Sequence, residues 1–217
     1  YVVGSDQTWN PFVANSPEAF FLPFVENKSK KGSYGPSLAV KSLSDEKEKE
    51  YRKKLSNFSF LSCREQDGAQ LLSRITQKEV KCVLDPTLLL SAKEWGKYCE
   101  FEIPKEPYIL VYFLGEKSEH RRAVEKIQKL TNWKIISLPA AYLEMENNDY
   151  KKVWGGPKEF LSLIRGAALI CTDSFHGTMF SINFQRNFFS FCKSSDSEES
   201  SENSRLYSAL NIFGLSN

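Results

Sequence analysis

The chain has neither a long apolar segment nor a concentration of positive charge. No apolar run approaches the roughly 18 residues that a membrane-spanning helix needs. Lys and Arg number 29 against 27 Asp and Glu, and the basic residues are spread along the sequence. Proteins that bind nucleic acid usually gather such residues on one face, so we expect no nucleic acid partner. The 217 residues, 41% of them hydrophobic, are typical of one large globular domain or two small ones.

Cysteine is scarce and follows no pattern. The five cysteines are an odd number, and none forms a C-x-x-C pair. Such pairs are a frequent sign of zinc or redox sites, whereas an even set in a short secreted chain indicates a disulfide framework. Four of the five lie in or beside apolar segments. We therefore expect buried free thiols, a cytoplasmic location and no metal site.

Nucleotide-binding glycine motifs are absent, and histidine is rare. The sequence contains no G-x-G-x-x-G and no P-loop, and its only histidines are His120 and His176. His120 falls on the polar side of a charged helical segment, 118–131, so we expect it to be exposed. His176 stands where an apolar strand, 167–172, meets a helix, 174–185. A histidine at such a junction is a candidate for proton transfer.

Apolar strands alternate with amphipathic helices along the second half of the chain. The predicted strands there are 107–114, 134–138, 167–172 and 187–192. This alternation implies a parallel sheet with helices on both faces. The first half shows the same pattern less regularly, so we predict an α/β fold with two Rossmann-like halves.

The predicted domains are an N-terminal α/β domain, a connector and a C-terminal Rossmann-like α/β domain, over 1–90, 91–106 and 107–217. The opening residues Tyr1-Val2-Val3-Gly4 resemble the end of a buried strand. We therefore expect the N-terminal half to be truncated. The polar segment 193–204 has no apolar residue and is expected to be a solvated loop or a disordered lid.

Polar residues follow three of the predicted strands. The junctions are Gly4-Ser5-Asp6-Gln7, Ser62-Cys63-Arg64-Glu65 and Thr172-Asp173-Ser174-Phe175-His176-Gly177. In parallel α/β sheets, ligands bind outside the carboxyl ends of the strands. These side chains are therefore candidate binding residues.

The junction at His176 has the features of an anion site. Backbone amides and the helix dipole favour a negative group at the start of a helix. His176 can add a positive charge there or move a proton, and Gly177 lets a ligand approach the backbone. An alternative stays open, in which Asp173 or Ser174 merely caps the helix and His176 fills space.

The junction at Arg64 also indicates an anion. Ser62 and Glu65 have the spacing of a capping box, which places Arg64 in the first turn of the next helix. A cation is mildly unfavourable at that end of a helix, so Arg64 indicates an external anion unless it pairs with Glu65. Asp6 either bonds sugar hydroxyls or forms a turn. Asp85, which precedes a proline, is expected to stop a strand.

Five ordered blocks of the sequence resemble the polysaccharide pyruvyl transferase family. They are VGSDQTWNP (3–11), SYGPSLAV (33–40), SCREQDGAQLL (62–72), VLDPTLLL (83–90) and GPKEFLSLIRGAALICTDSFHGTMFSINFQRNFF (156–189). The resemblance covers nearly the whole chain and implies a fold similar to the two-domain GT-B glycosyltransferases. It also implies transfer of pyruvate from phosphoenolpyruvate to a sugar as a ketal, in cell-surface polysaccharide biosynthesis.

Two departures limit what the resemblance carries over. Better-known members have Arg-x-His at the last junction, where the arginine helps to hold phosphate, but Ser174 occupies the arginine position here. Only His176 therefore matches this motif. Members also start with a strand and an Asn- and Gly-containing loop that has no counterpart in this chain, in line with the expected truncation.

The resemblance implies a catalytic His176, acting as general acid/base or as a phosphate ligand. The expected substrate-binding residues are Arg64, Asp173, Ser174, Gly177, Ser5, Asp6 and Gln7. Asp6 and Gln7 are expected on the acceptor side of an interdomain cleft. Protonating the methylene of phosphoenolpyruvate makes its C2 electrophilic, which requires neither a metal nor a cofactor besides the donor.

The expected partners are phosphoenolpyruvate and a saccharide acceptor, with peripheral association to the membrane machinery that assembles polysaccharide. Two alternatives remain open. One is a GT-B glycosyltransferase that uses a nucleotide sugar. The other is a non-catalytic saccharide-binding relative that lost its chemistry together with the arginine now replaced by Ser174.

Overall fold

A computed structural model describes residues 1–13, 18–115, 118–139, 150–193 and 203–215. The contacts within it divide the chain into two compact units. Unit 1 comprises residues 1–86 and the C-terminal helix, and unit 2 comprises residues 87–193. Most of the polar segment predicted as a loop or lid, residues 194–202, lies outside the described residues.

Unit 1 contains four short parallel strands and two helices that precede the unit boundary. The elements are β1 (Val2–Val3), β2 (Gly32–Ser33), α1 (Asp45–Leu55), β3 (Leu61–Cys63), α2 (Gln66–Thr76) and β4 (Val80–Cys82). Strand β1 pairs with β2 and β3 pairs with β4, both in parallel. A parallel bridge between Gly32 and Phe60 links the two pairs. All four carboxyl ends therefore point the same way.

Two buried serines join β2 to β3. The Ser62 amide donates to Ser33 Oγ at 2.9 Å, and the Ser62 hydroxyl donates to the Ser33 carbonyl at 2.7 Å. The Gly35 amide donates to Ser62 Oγ at 3.0 Å. These side-chain hydroxyls form hydrogen bonds with buried backbone groups that would otherwise need backbone partners on the neighbouring strand.

The capping box predicted at Ser62 and Glu65 is wrong, because both side chains form hydrogen bonds outside the helix. Ser62 is a strand residue whose hydroxyl is used across the sheet, and α2 begins only at Gln66. Glu65 occupies the N-cap position but makes no side-chain cap bond. Its carboxylate instead accepts hydrogen bonds from the amides of Leu38 and Ala39 at 2.7 and 3.0 Å. Arg64 accordingly lies between the strand and the helix, before the first helical turn.

Unit 2 is a regular α/β unit. Its elements are α3 (Ala92–Trp95), β5 (Tyr108–Tyr112), α4 (Ser118–Thr131), β6 (Lys134–Ser137), β7 (Lys151–Lys152), α5 (Pro157–Gly166), β8 (Leu169–Thr172), α6 (Phe175–Asn183) and β9 (Phe188–Ser190). All described strand pairs of this sheet are parallel, in the order β7-β6-β5-β8-β9. The parallel sheet predicted from the alternation is confirmed.

Both faces of the unit 2 sheet are covered by apolar packing. Tyr108 and Leu110 of β5 belong to a cluster that includes residues of α5 and α6. Ile109 and Val111 belong to a second cluster that includes Val124 of α4. Successive residues of a strand point to opposite faces, so β5 contributes to two cores at once. This explains its continuous apolar sequence.

The sheet order reverses at the β5–β8 pair. From β5 the chain proceeds outward through β6 and β7, and then returns to the other side of β5 to form β8 and β9. Such a reversal is a topological switch point, where loops from the two neighbouring strands diverge and leave a crevice for ligands. The relevant ends are residues 113–115 after β5 and residues 173–176 after β8.

The last helix, α7 (Asn203–Ile212), belongs to unit 1. Ser208 Oγ accepts a hydrogen bond at 3.3 Å from the amide of Gln66, the first residue of α2. The contacts within the structure therefore divide the chain after Pro86 and assign α7 to unit 1. The domain limits given above for the sequence, 1–90, 91–106 and 107–217, stay a prediction.

The expectation that His120 is exposed is wrong. His120 lies in the first turn of α4 and is only 4% exposed. The centroid of its ring is 5.0 Å from that of Phe113 and 4.8 Å from that of Phe191. Buried Val124 follows it by four residues, and residues at this spacing share a helix face.

Candidate active site

The structure distributes the expected site residues over two clusters, one in each unit. The cluster of unit 1 is built around Arg64, which directly follows β3. Arg64 Nη1 donates to Asp85 Oδ2 at 2.9 Å and to Ser5 Oγ at 3.2 Å. The Ser5 hydroxyl donates to the same Asp85 oxygen at 2.5 Å. The three residues follow β3, β4 and β1, so the cluster lies at the carboxyl ends of three parallel strands.

The Arg64–Asp85 ion pair is buried. Both side chains are 1% exposed. Removing two charges from water is costly, and only close pairing with further hydrogen bonds offsets that cost. Ser5 supplies such a bond to each partner. Arg64 thus pairs with Asp85, which was expected only to stop a strand, and not with Glu65.

Asp6 approaches the same guanidinium from an exposed position. Its Oδ1 lies 3.7 Å from Arg64 Nη2, and its side chain is 67% exposed. The same oxygen accepts a hydrogen bond at 2.9 Å from the Gln7 amide. The Gln7 side chain itself is used locally, because its Oε1 accepts from Asn10 Nδ2. Of the residues in the junction Gly4-Ser5-Asp6-Gln7, the structure therefore places Ser5 and Asp6 beside Arg64.

The cluster of unit 2 lies at the switch point. Asp173 is buried and follows β8. Its Oδ1 accepts a hydrogen bond from the Leu114 amide at 2.6 Å, and its Oδ2 accepts from the Gly115 amide at 2.9 Å. These amides belong to the segment after β5. One carboxylate thus ties together the two chain segments that diverge at the reversal of the sheet.

Ser174 and Gly177 have structural roles at the start of α6. Ser174 is the N-cap residue, and its Oγ accepts from the Gly177 amide at 3.2 Å. A Cβ on residue 177 would come within 2.5 Å of Thr172 Oγ1. Glycine is therefore required by the close packing of the helix on β8. Capping accounts for Ser174, as the alternative interpretation held, but it does not account for the histidine.

His176 is the accessible side chain of this junction. It is the second residue of α6, and from residue 170 to residue 181 it is the only one that is not buried. Its ring packs edge-on against Phe175, with 5.6 Å between centroids and 88° between planes. An imidazole in the first turn lies at the positive end of the helix dipole. This position suits proton exchange with a bound, negatively charged molecule.

All five cysteines are free thiols, but only Cys63 and Cys171 are buried, so the expectation of buried thiols holds for these two alone. Burial raises the pKa of the Cys171 thiol to about 12, so it is a poor nucleophile near neutrality. Within the described parts of the chain, no group of three or more His, Cys, Asp or Glu side chains is arranged to hold a metal ion.

The fold and the two clusters define a parallel-sheet α/β protein with polar groups at the strand ends where such proteins bind ligands. The family model for polysaccharide pyruvyl transferases matches residues 1–191. The chain therefore belongs to the polysaccharide pyruvyl transferase family, and it is a transferase. The resemblance noted from the five sequence blocks is confirmed.

Two solved structures with a similar fold are UDP-GlcNAc 2-epimerases. The chain is 14% identical to UDP-GlcNAc 2-epimerase from Methanocaldococcus jannaschii, with a TM-score of 0.60, covering 96% of this chain and 68% of that one. It is 9% identical to UDP-GlcNAc 2-epimerase from Neisseria meningitidis, with a TM-score of 0.59, covering 98% and 67%. These similarities confirm the GT-B-like, parallel α/β fold class.

No curated protein matches the sequence. Among the helices of the described residues, none combines the length and the apolar character needed to cross a membrane.

Proposed function

We propose that this protein transfers pyruvate from phosphoenolpyruvate to two hydroxyl groups of a saccharide, forming a ketal during synthesis of a cell-surface polysaccharide. Membership of the family supports pyruvyl transfer and a saccharide acceptor. The observation that carries the proposal is the accessibility of His176, alone among residues 170–181, at the switch point of a parallel sheet.

In the proposed mechanism, His176 moves one proton in each direction. Its protonated ring gives a proton to the methylene carbon of phosphoenolpyruvate, which becomes a methyl group and leaves C2 electron-poor. A sugar hydroxyl then forms a bond to C2 and returns a proton to the ring. A second hydroxyl bonds to the same carbon, the bond from C2 to the phosphate oxygen breaks, and inorganic phosphate leaves with the remaining proton. The scheme needs no metal.

The other site residues divide into those that meet the donor and those that hold the site. We assign to Arg64 the anionic groups of phosphoenolpyruvate, since guanidinium binds phosphate and carboxylate in a planar, charge-assisted manner. Asp173, Ser174 and Gly177 position His176 through the bonds and packing described above. Gln7 stays a prediction for the acceptor side.

The test is phosphate release from phosphoenolpyruvate by the full-length protein in the presence of saccharide acceptors. General acid–base groups contribute about 10²- to 10⁴-fold to rates, so His176→Ala should lower turnover by at least about 100-fold. His176 is half-buried, so thermal unfolding of the variant should stay close to that of the parent. A loss of less than about threefold, roughly 0.6 kcal/mol, contradicts the catalytic role.

The same preparation separates the alternatives. Calorimetry with phosphoenolpyruvate and with UDP- and GDP-sugars shows which donor binds. Heat with a nucleotide sugar and none with phosphoenolpyruvate overturns the proposal in favour of glycosyl transfer. Saccharide binding without turnover of any donor identifies a non-catalytic relative.

A further inference from the structure

The two terminal nitrogens of the Arg64 guanidinium have different neighbours. Nη1 is held by Asp85 at 2.9 Å and by Ser5 at 3.2 Å, within the buried cluster. Nη2 lies 3.7 Å from Asp6 Oδ1. That separation is too long for a hydrogen bond but well within the range of charge attraction. Asp85 is 1% exposed, whereas Asp6 is 67% exposed. One carboxylate is thus a fixed partner, and the other is open to solvent.

The backbone directs Asp6 to this place. Its φ angle is +81°, a left-handed conformation that non-glycine residues rarely adopt and that aspartate and asparagine tolerate best. The Asp6 carbonyl accepts a hydrogen bond from the Ser37 amide at 2.8 Å, and the residue forms a parallel bridge with Pro36. Its Oδ1 is held by the Gln7 amide. The carboxylate is therefore set beside Arg64 by several local contacts.

Asp6 adds negative charge on the solvent side of Arg64. Its carboxylate lies 3.7 Å from Nη2, in addition to the Asp85 carboxylate at 2.9 Å from Nη1. An anion that approaches Nη2 must meet or displace the Asp6 carboxylate, because like charges at short range repel. A neutral ligand would meet no such barrier.

We propose that Asp6 is a displaceable counter-ion of Arg64, occupying the place beside Nη2 that an anionic group of the ligand takes. The ligand class is a small phosphorylated or carboxylated anion. The proposal rests on the proposed function in that Arg64 is the residue assigned to the donor's anionic groups. It replaces the expectation that Asp6 bonds acceptor hydroxyls.

The experiment compares Asp6→Asn with the parent protein. Asparagine retains the Oδ1 acceptor for the Gln7 amide and tolerates the same φ, so only the charge changes. Binding of inorganic phosphate and of phosphoenolpyruvate is measured by calorimetry at low ionic strength. We expect about fivefold tighter binding of both, which corresponds to about 1 kcal/mol. Asp45→Asn, an exposed position on α1, makes the same charge change away from the cluster and should leave affinity unchanged.

A crystal structure of Asp6→Asn soaked in phosphate gives the second measurement. The anion should lie within hydrogen-bonding distance of Arg64 Nη2. Weaker binding in the variant shows that Asp6 itself contacts the ligand and overturns the proposal. Equal affinities, or no anion binding by either protein, overturn it as well.

The outcomes also distinguish this inference from the proposed function. Tighter phosphate binding by the variant without any pyruvyl transfer by the parent supports the counter-ion and contradicts the reaction. Pyruvyl transfer by the parent with unchanged anion affinity in the variant supports the reaction and contradicts the counter-ion.

Discussion

Replacing Asp85 by alanine removes from Arg64 the carboxylate that it bonds at 2.9 Å in a region where both side chains are 1% exposed. Breaking a buried ion pair by removing one partner typically costs about 3 to 5 kcal/mol, since the other charge stays buried. Asp85 also accepts a bond from Ser5, whose hydroxyl loses its acceptor at the same time. We therefore expect Asp85→Ala to lower the free energy of unfolding by about 4 kcal/mol.

Matched variants test the physical reason for this loss. Ser5→Ala removes hydrogen bonds to the charged partners but keeps the ion pair, so we expect a loss of about 1.5 to 3 kcal/mol. The double variant Arg64→Met/Asp85→Leu removes both charges and replaces them with apolar side chains. Such replacements are often neutral or stabilising, so its stability should recover to near that of the parent.

These changes are measured by urea unfolding that is monitored through hydrogen exchange in peptides covering β3 and β4. The measurement therefore reports on unit 1 itself. Asp45→Ala serves as the exposed control and should shift stability by no more than about 0.5 kcal/mol. If Asp85→Ala costs less than about 1 kcal/mol, the guanidinium is solvated in the folded protein. The description of a buried ion pair would then be wrong.

Two further predictions concern the backbone. Gly177→Ala places a Cβ 2.5 Å from Thr172 Oγ1, so it should lower the free energy of unfolding in urea by about 1 to 3 kcal/mol. The control is Gly4→Ala, where no atom lies within 4 Å of the added Cβ and no comparable loss is expected. A loss at Gly177 no larger than at Gly4 would contradict the packing argument. Ala39 has a φ of +55° and is buried, so Ala39→Gly relieves backbone strain but loses the burial of a methyl group. The net change in the same assay should stay within about 1 kcal/mol, and a larger loss would contradict strain at this position.

The regular part of the fold could be predicted because local and global signals agree there. In unit 2, β5, β6, β8 and β9 are short runs rich in apolar residues and separated by helices, so chain order alone implied a parallel sheet. Strand β7 (Lys151–Lys152) carries no such signal and was not predicted. The Ser62–Glu65 pair shows where such signals fail. The same spacing that caps a helix was used here to join strands and a loop, and nothing in the local sequence distinguishes the two uses.

The candidate site was predicted in part. His176 could be found because a strand and a helix meet there, and Arg64 because it follows a strand. The role of Asp85 was missed, since the ion pair joins residues that follow two different strands. The signal was nevertheless present, because the carboxyl ends of parallel strands meet at one edge of a sheet and Asp85 follows β4.

His120 was misjudged because charged neighbours dominate its segment. Its spacing of four residues to Val124 indicated the buried face, and this relation carries more weight than the mean polarity of the helix.

The double acceptor role of Asp173 has a consequence for how this enzyme can diversify. The Asp173 carboxylate accepts hydrogen bonds from the amides of Leu114 and Gly115, so the start of the segment after β5 is fixed to the start of α6. Later residues of that segment can then vary in number and type while this connection keeps its geometry. Sequence changes in those residues would in this way leave the position of His176 unchanged.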